Sequence, residues 1–287
     1  MTWPVAILIS GFFFSLNHII RKKILEDANV LDMMIFTGTF GFLAMLPFVT
    51  YVDFTISYMN LFLIMLNTAF AYAGSYTLNS VYKHCEISSV SPMLNINPLF
   101  VILLSHITLG EVLSGLQFFG IVLILTGGYL ITLEDIRYFY RPFTSIPKKY
   151  FWGILTTLVL WSFCPVLNRV VLLEIDTLSY LFFFTMFIFI IQVVLLISCS
   201  RYKTVAILSK KKWQLLILAS LCWVISDLLH LYAIAMPAAM VSLIIPVKRI
   251  SNLLTVVVGG MFFKEKNIIV KSAACSIMIA GLFAIVL

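Results

Sequence analysis

Charge is scarce in this sequence. Only 11% of its 287 residues are Asp, Glu, Lys or Arg, while 62% are hydrophobic and the mean hydropathy is +1.09. A water-soluble domain carries about a quarter charged residues, so this chain lacks the surface of a solvated globule. Cysteine is sparse as well. The five cysteines (Cys85, Cys164, Cys199, Cys222 and Cys275) include no CxxC pair, and four lie in apolar runs. They read as small packing residues, with no disulfide or metal framework. No GxxxxGK[ST] is present, which argues against ATP hydrolysis, and no HExxH. No convergent set of acid, base or metal ligands suggests an enzyme. No cofactor is expected. The net charge of +7 would suggest nucleic acid in a soluble protein. Here it reads as basic loops beside a membrane.

What is there is a series of long apolar runs. Ten can be drawn: 3–20, 33–51, 58–82, 88–108, 113–133, 151–173, 178–199, 214–235, 239–263 and 268–287. A helix needs roughly 20 apolar residues to cross about 30 Å of hydrocarbon. Barrel strands are about half as long. The expected class is an all-α membrane protein of ten transmembrane helices. The longest loop has 17 residues, too short for a separate soluble domain.

The basic residues collect on one side in this scheme. Sixteen fall on one side: Arg21, Lys22, Lys23, Lys83, Arg137, Arg141, Lys148, Lys149, Arg201, Lys203, Lys210, Lys211, Lys212, Lys264, Lys266 and Lys271. The other side has Arg169. The positive-inside rule then places both termini outside a cell membrane and the central loop in the cytoplasm. No charge precedes the first run and Arg-Lys-Lys follows it, the reverse of a cleavable signal peptide.

The two halves repeat. With a shift of 154, Ser88 falls on Ser242, Pro92 on Pro246, Leu99 on Leu253, Glu111 on Glu265 and Gly127 on Gly281. Leu16-Asn17 matches Leu167-Asn168 with a shift of 151. The expected organisation is a five-helix unit over 1–135, a connecting loop over 136–149 and a second unit over 150–287. An odd number of spans inverts the second unit, an architecture used by secondary transporters with a midplane site.

These residues resemble the drug/metabolite transporter superfamily and, within it, the EamA-like family of two five-helix units. The resemblance is carried by Asn17, the stretch 82–98 (YKHCEISSVSPMLNINP), Leu109-Gly110-Glu111, Gly120 and Gly127-Gly128. In the second half it is carried by 236–246 (MPAAMVSLIIP), Phe263-Lys264-Glu265 and Gly281. It implies a cavity lined by helices one to four and six to nine, with helices five and ten peripheral. Many relatives are drawn with both termini in the cytoplasm, opposite to the charge count here.

The few ionisable residues inside the apolar runs are the candidate site. A charge at the bilayer centre costs about 2.5–3.5 kcal/mol on insertion scales, so Asp227, Lys248 and Arg249 should face a cavity or each other. Lys248 and Arg249 follow Pro246, and together they suit a phosphate or carboxylate. One alternative is charge balance, with Asp227 pairing one cation. The pair also looks like the substrate-anion pair of the plastid phosphate translocators. Asp227 and His230 are three apart on one helix face; they read as a proton-coupling pair, or as a counter-ion and a core histidine. Asn95 stands at the position of Arg249 in the other repeat, with Asn97 and Pro98 next to it. Asn17, Asn168 and Tyr76 are expected polar liners, with interhelical hydrogen bonding as the alternative. Pro92, Pro98 and Pro246 are expected to interrupt helices near the midplane. Glu111 and Glu265 are expected at helix N-termini.

The expected function is secondary transport of a small polar metabolite, anionic or phosphorylated, with protons as a possible coupling ion and the bilayer as its setting. The competing readings are an exporter of amino acids or hydrophobic drugs on the same scaffold, and a lipid-linked phosphate flippase.

Overall fold

The computed structural model describes residues 2–85, 90, 93–132, 146–198, 200, 202–250 and 268–286. Among these residues every regular element is helical. The elements are α1 (Trp3–Leu25), α2 (Val30–Met45), α3 (Tyr58–His84), α4 (Asn97–Leu109) and α5 (Gly115–Thr132), then α6 (Lys148–Leu172), α7 (Thr177–Ser198), α8 (Tyr202–Ala235), α9 (Val241–Lys248) and α10 (Ile268–Val286). A 3₁₀ turn, Leu46–Tyr51, extends α2, and α8 kinks at Lys212. Among the described residues six segments are long and apolar enough to cross a membrane: Trp3–Leu25, Val30–Tyr51, Tyr58–His84, Lys148–Leu172, Thr177–Ser198 and Lys212–Ala235. The apolar parts of α4, α5 and α10 are shorter.

Local chemistry sets the helix ends. The Asn29 side chain accepts the backbone N–H of Leu31 before α2, and Ser57 accepts that of Asn60 in α3. Asp176 accepts from Leu178 and Ser179 at the start of α7. Each satisfies a donor that the first helical turn leaves orphaned. Gly110 closes α4 with φ +66°, a left-handed conformation that glycine adopts at little cost.

Two expected spans are broken rather than continuous. The run 88–108 has a turn at Asn95–Ile96 before α4, and the run 239–263 has a turn at Arg249–Ile250 after α9. These turns are 154 residues apart, the shift that relates the halves. Pro98 opens α4 in its first turn, where its missing N–H costs nothing, instead of interrupting a helix. Pro246 does sit inside α9, and Pro165 inside α6. Pro92, Ser88, Leu253 and Glu265 lie outside the described residues.

Long-range contacts recur in pairs. In α1 and α8, Asn17 Nδ2 donates to the Ala219 carbonyl at 2.6 Å and Ser10 meets Ser226. In α6 and α3, Asn168 Oδ1 accepts from Asn67 at 2.8 Å and Thr157 meets Thr77 at 2.7 Å. In each pair, residue numbers rise on one helix as they fall on the other, so both pairs are antiparallel. Lys22 of α1 donates to the Tyr82 and Cys85 carbonyls at the end of α3. Arg169 of α6 donates to the Ile234 and Met236 carbonyls at the end of α8. Cations at helix C-termini are favoured by the dipole and by the orphan carbonyls.

The closest approach is between α5 and α10. A Cβ on Gly120 would lie 2.6 Å from the Gly281 carbonyl oxygen, and one on Gly281 would lie 2.6 Å from that of Gly120. A Cβ on Gly127 would meet the Ala274 carbonyl at 2.7 Å. Small residues let the backbones touch. The contact is reciprocal: Gly127 on Ala274 and Met278 repeats as Gly281 on Gly120 and Ile124, each partner shifted by 154.

Candidate functional site

A cavity of about 190 Å³ lies between the halves. Among the described residues it is lined from α1–α4 and α6–α9 and the turn after α9, and by nothing from α5 or α10. Helix α1 contributes Phe14, Asn17, His18 and Arg21. These recur at three- and four-residue intervals and so share one face. Helix α8 contributes Trp223, Ser226, Asp227 and His230 by the same spacing. Lys248 and Arg249 enter from the end of α9.

The cations are held by specific partners. Arg249 is buried, and its Nη2 donates to Asn97 Oδ1 at 3.0 Å. Asn97 is itself fixed, donating to the Leu158 carbonyl at 3.1 Å and to Ser162 at 3.0 Å. Lys248 Nζ stands 4.7 Å from the centroid of the Phe14 ring, within cation–π range. Asp227 interacts electrostatically with Lys248 and Arg21. His18 stacks edge-on against Phe14 at 4.3 Å and Tyr82 at 5.5 Å.

A second group in the lining is neutral. Asn67 donates to Asn168 and, at 2.6 Å, to the Tyr180 hydroxyl, which donates to Asn168 at 2.7 Å. Gln192 donates to the Met34 carbonyl at 2.8 Å. Buried amides of this kind require partners, since an unpaired one costs on the order of 1–3 kcal/mol.

The cavity brings together six of the residues singled out in the sequence: Asn17, Asn168, Asp227, His230, Lys248 and Arg249. Two do not line it. Asn95 is buried, but its amide donates to the Gly128 carbonyl at 2.7 Å, which turns it toward α5. Tyr76 is 42% exposed, on the outward face of α3. Arg21, counted above as a loop charge, is instead a helical residue that reaches the cavity, because α1 runs to Leu25. Lys22 and Lys23 also lie in α1, and Lys83 in α3, rather than in loops. Asn97, noted in the sequence only as a neighbour of Asn95, also lines the cavity, and Arg21, Asn67, Tyr180 and Gln192 are given no site role in the sequence reading. The four-residue interval from Asn17 to Arg21 was the available signal. Among the described residues no group of three His, Cys, Asp or Glu could hold a metal ion.

Residues 1–133 match the model of the EamA-like transporter family. The match supports the resemblance read from the sequence and is consistent with the drug/metabolite transporter superfamily. No curated protein matches the chain. A solved structure titled only "Crystal structure of protein" has a TM-score of 0.69 to this chain at 14% identity. The similarity covers 98% of this chain and 94% of that one, and it is a likeness of fold alone. The long apolar helices, with this match over the first half, indicate an integral membrane protein.

Proposed function

We propose that this chain is a secondary transporter that moves a small anionic or phosphorylated metabolite through the cavity between its halves. The observation that carries the reading is the charge of the lining. Among the described residues three cations (Arg21, Lys248 and Arg249) and one carboxylate (Asp227) line one cavity. Asp227 can neutralise at most one of them, so the wall keeps a positive excess. A positive excess in a wall of low dielectric attracts an anion, and an anionic substrate would offset it. Two arginines offer forked donors to carboxylate or phosphate, and Lys248 adds a point charge. The neutral amides at Asn17, Asn67 and Asn168 suit the polar body of such a molecule.

Alternating access follows from the paired contacts. The antiparallel pairs α1–α8 and α3–α6, and the reciprocal α5–α10 contact, are what two inverted five-helix units would make. Rocking of one unit against the other would expose the cavity to each side in turn. Asp227 and His230 serve as counter-ion or proton-coupling pair within it. The bias of basic residues to one side of the ten-span scheme favours termini outside.

The test is uptake into proteoliposomes of a panel of phosphate esters, dicarboxylates, amino acids and sugars. Anions are expected to be transported, and Lys248→Gln and Arg249→Gln are expected to lose them. Parental rates for every substrate in both variants would sink the anion reading. Asp227→Asn is expected to remove pH-driven uptake; unchanged proton dependence would leave it a counter-ion.

A further inference from the structure

The two ends of α9 are held by the two ends of α4. Glu111 lies just beyond α4, and its carboxylate spans the start of α9. Oε1 accepts the backbone N–H of Val241 at 2.7 Å and Oε2 that of Ser242 at 2.8 Å. At the other end Arg249, just past α9, donates to Asn97, the first residue of α4. The two helices therefore run antiparallel, and they come from opposite halves.

Helix α9 has reason to need this. Its eight residues span about 12 Å, and helices so short are marginal on their own. Pro246 removes one internal bond, to the Ser242 carbonyl. The Met240 cap makes no side-chain hydrogen bond. A carboxylate there satisfies two orphan donors and complements the dipole. Glu111 is itself well presented. Gly110 sets the turn before it, and its own carbonyl bonds His106 Nδ1 at 2.8 Å. It is not spent on the helix that follows it. The start of α5 is closed by Ser114 and Gln117, each accepting the other's backbone N–H, at 3.2 and 3.0 Å. That reciprocal arrangement is a capping box. The expected local role of Glu111 is thus taken by Ser114, and Glu111 reaches 130 residues away.

We infer that Glu111 is a positioning residue for the cation pair: it anchors α9 along its axis and so fixes where Lys248 and Arg249 stand in the cavity. The inference rests on the anion reading above. Glu111 touches no substrate. It acts through a helix, across the two halves.

Two measurements test it. Hydrogen–deuterium exchange on the purified protein reads the Val241 and Ser242 amides directly. In Glu111→Gln these are expected to exchange about tenfold faster, the effect of losing charge-assisted bonds, with α5 unchanged as the folding control. Uptake of inorganic phosphate and a three-carbon phosphate ester reads the function. Glu111→Gln is expected to raise KM about tenfold with a smaller change in kcat. In an Arg249→Gln background the same change is expected to add less than about twofold, because coupled residues are not additive. Unaltered exchange at 241–242 overturns the anchoring. A full effect of Glu111→Gln on top of Arg249→Gln overturns its action through the cation. Parental uptake in Arg249→Gln alone would instead refute the anion site, and exchange would then decide the anchoring by itself.

Discussion

The two broken spans of this protein occupy related places and do different work. In the first half the turn falls at Asn95–Ile96, preceded by Leu94; in the second it falls at Arg249–Ile250, preceded by Lys248. A shift of 154 superposes them. Yet Asn95 turns toward α5 and bonds the Gly128 carbonyl, whereas Arg249 turns into the cavity and bonds Asn97. One half uses its break to tie helices together, and the other uses it to present charge. Two turns at positions 154 residues apart thus differ in their chemistry.

The sharpest way to break this comparison is to exchange the roles. Arg249→Gln is expected to weaken anion uptake by about a hundredfold in KM, the loss of two charge-assisted hydrogen bonds. Transport kinetics in proteoliposomes check it. Gly281→Leu tests the reciprocal contact of α5 and α10. Its side chain would meet the Gly120 carbonyl, so unfolding in detergent is expected at a stability lower by about 2 kcal/mol, as for other overpacked sites. Arg21→Gln should weaken anion uptake by about tenfold, less than Arg249→Gln. An Arg21 variant with parental kinetics would return that residue to the loop charges. Asn95→Leu should lower stability by about 1 kcal/mol and leave KM for anions unchanged; a raised KM would mean that both turns serve the site. Tyr76→Phe is expected to change neither measurement, since its ring lies on the outer face.

Much of the fold was legible because the membrane reduces the problem. Apolar length marked the long helices. Helical spacing also placed Asp227 and His230 on one face by number alone, and both line the cavity. The rest depended on contacts that no local pattern encodes. Arg21 read as a loop charge because it heads a basic triplet, and only the length of α1 carries it inward. Asn67, Tyr180 and Gln192 lie in apolar runs where one polar residue is as readily an interhelical bond as a ligand. Glu111 was read as a local cap, and its partner proved to be at the start of α9.

The sequence by itself determined that this chain is helical and membrane-embedded, for the backbone in hydrocarbon must satisfy its own hydrogen bonds. It determined as well which few charges would be costly there. Which of those charges meet, and which polar residues face the cavity, only the tertiary structure decided. A helix fixes the angle between its own side chains. The direction that angle faces depends on the helices packed against it, and those come from the other half of the chain.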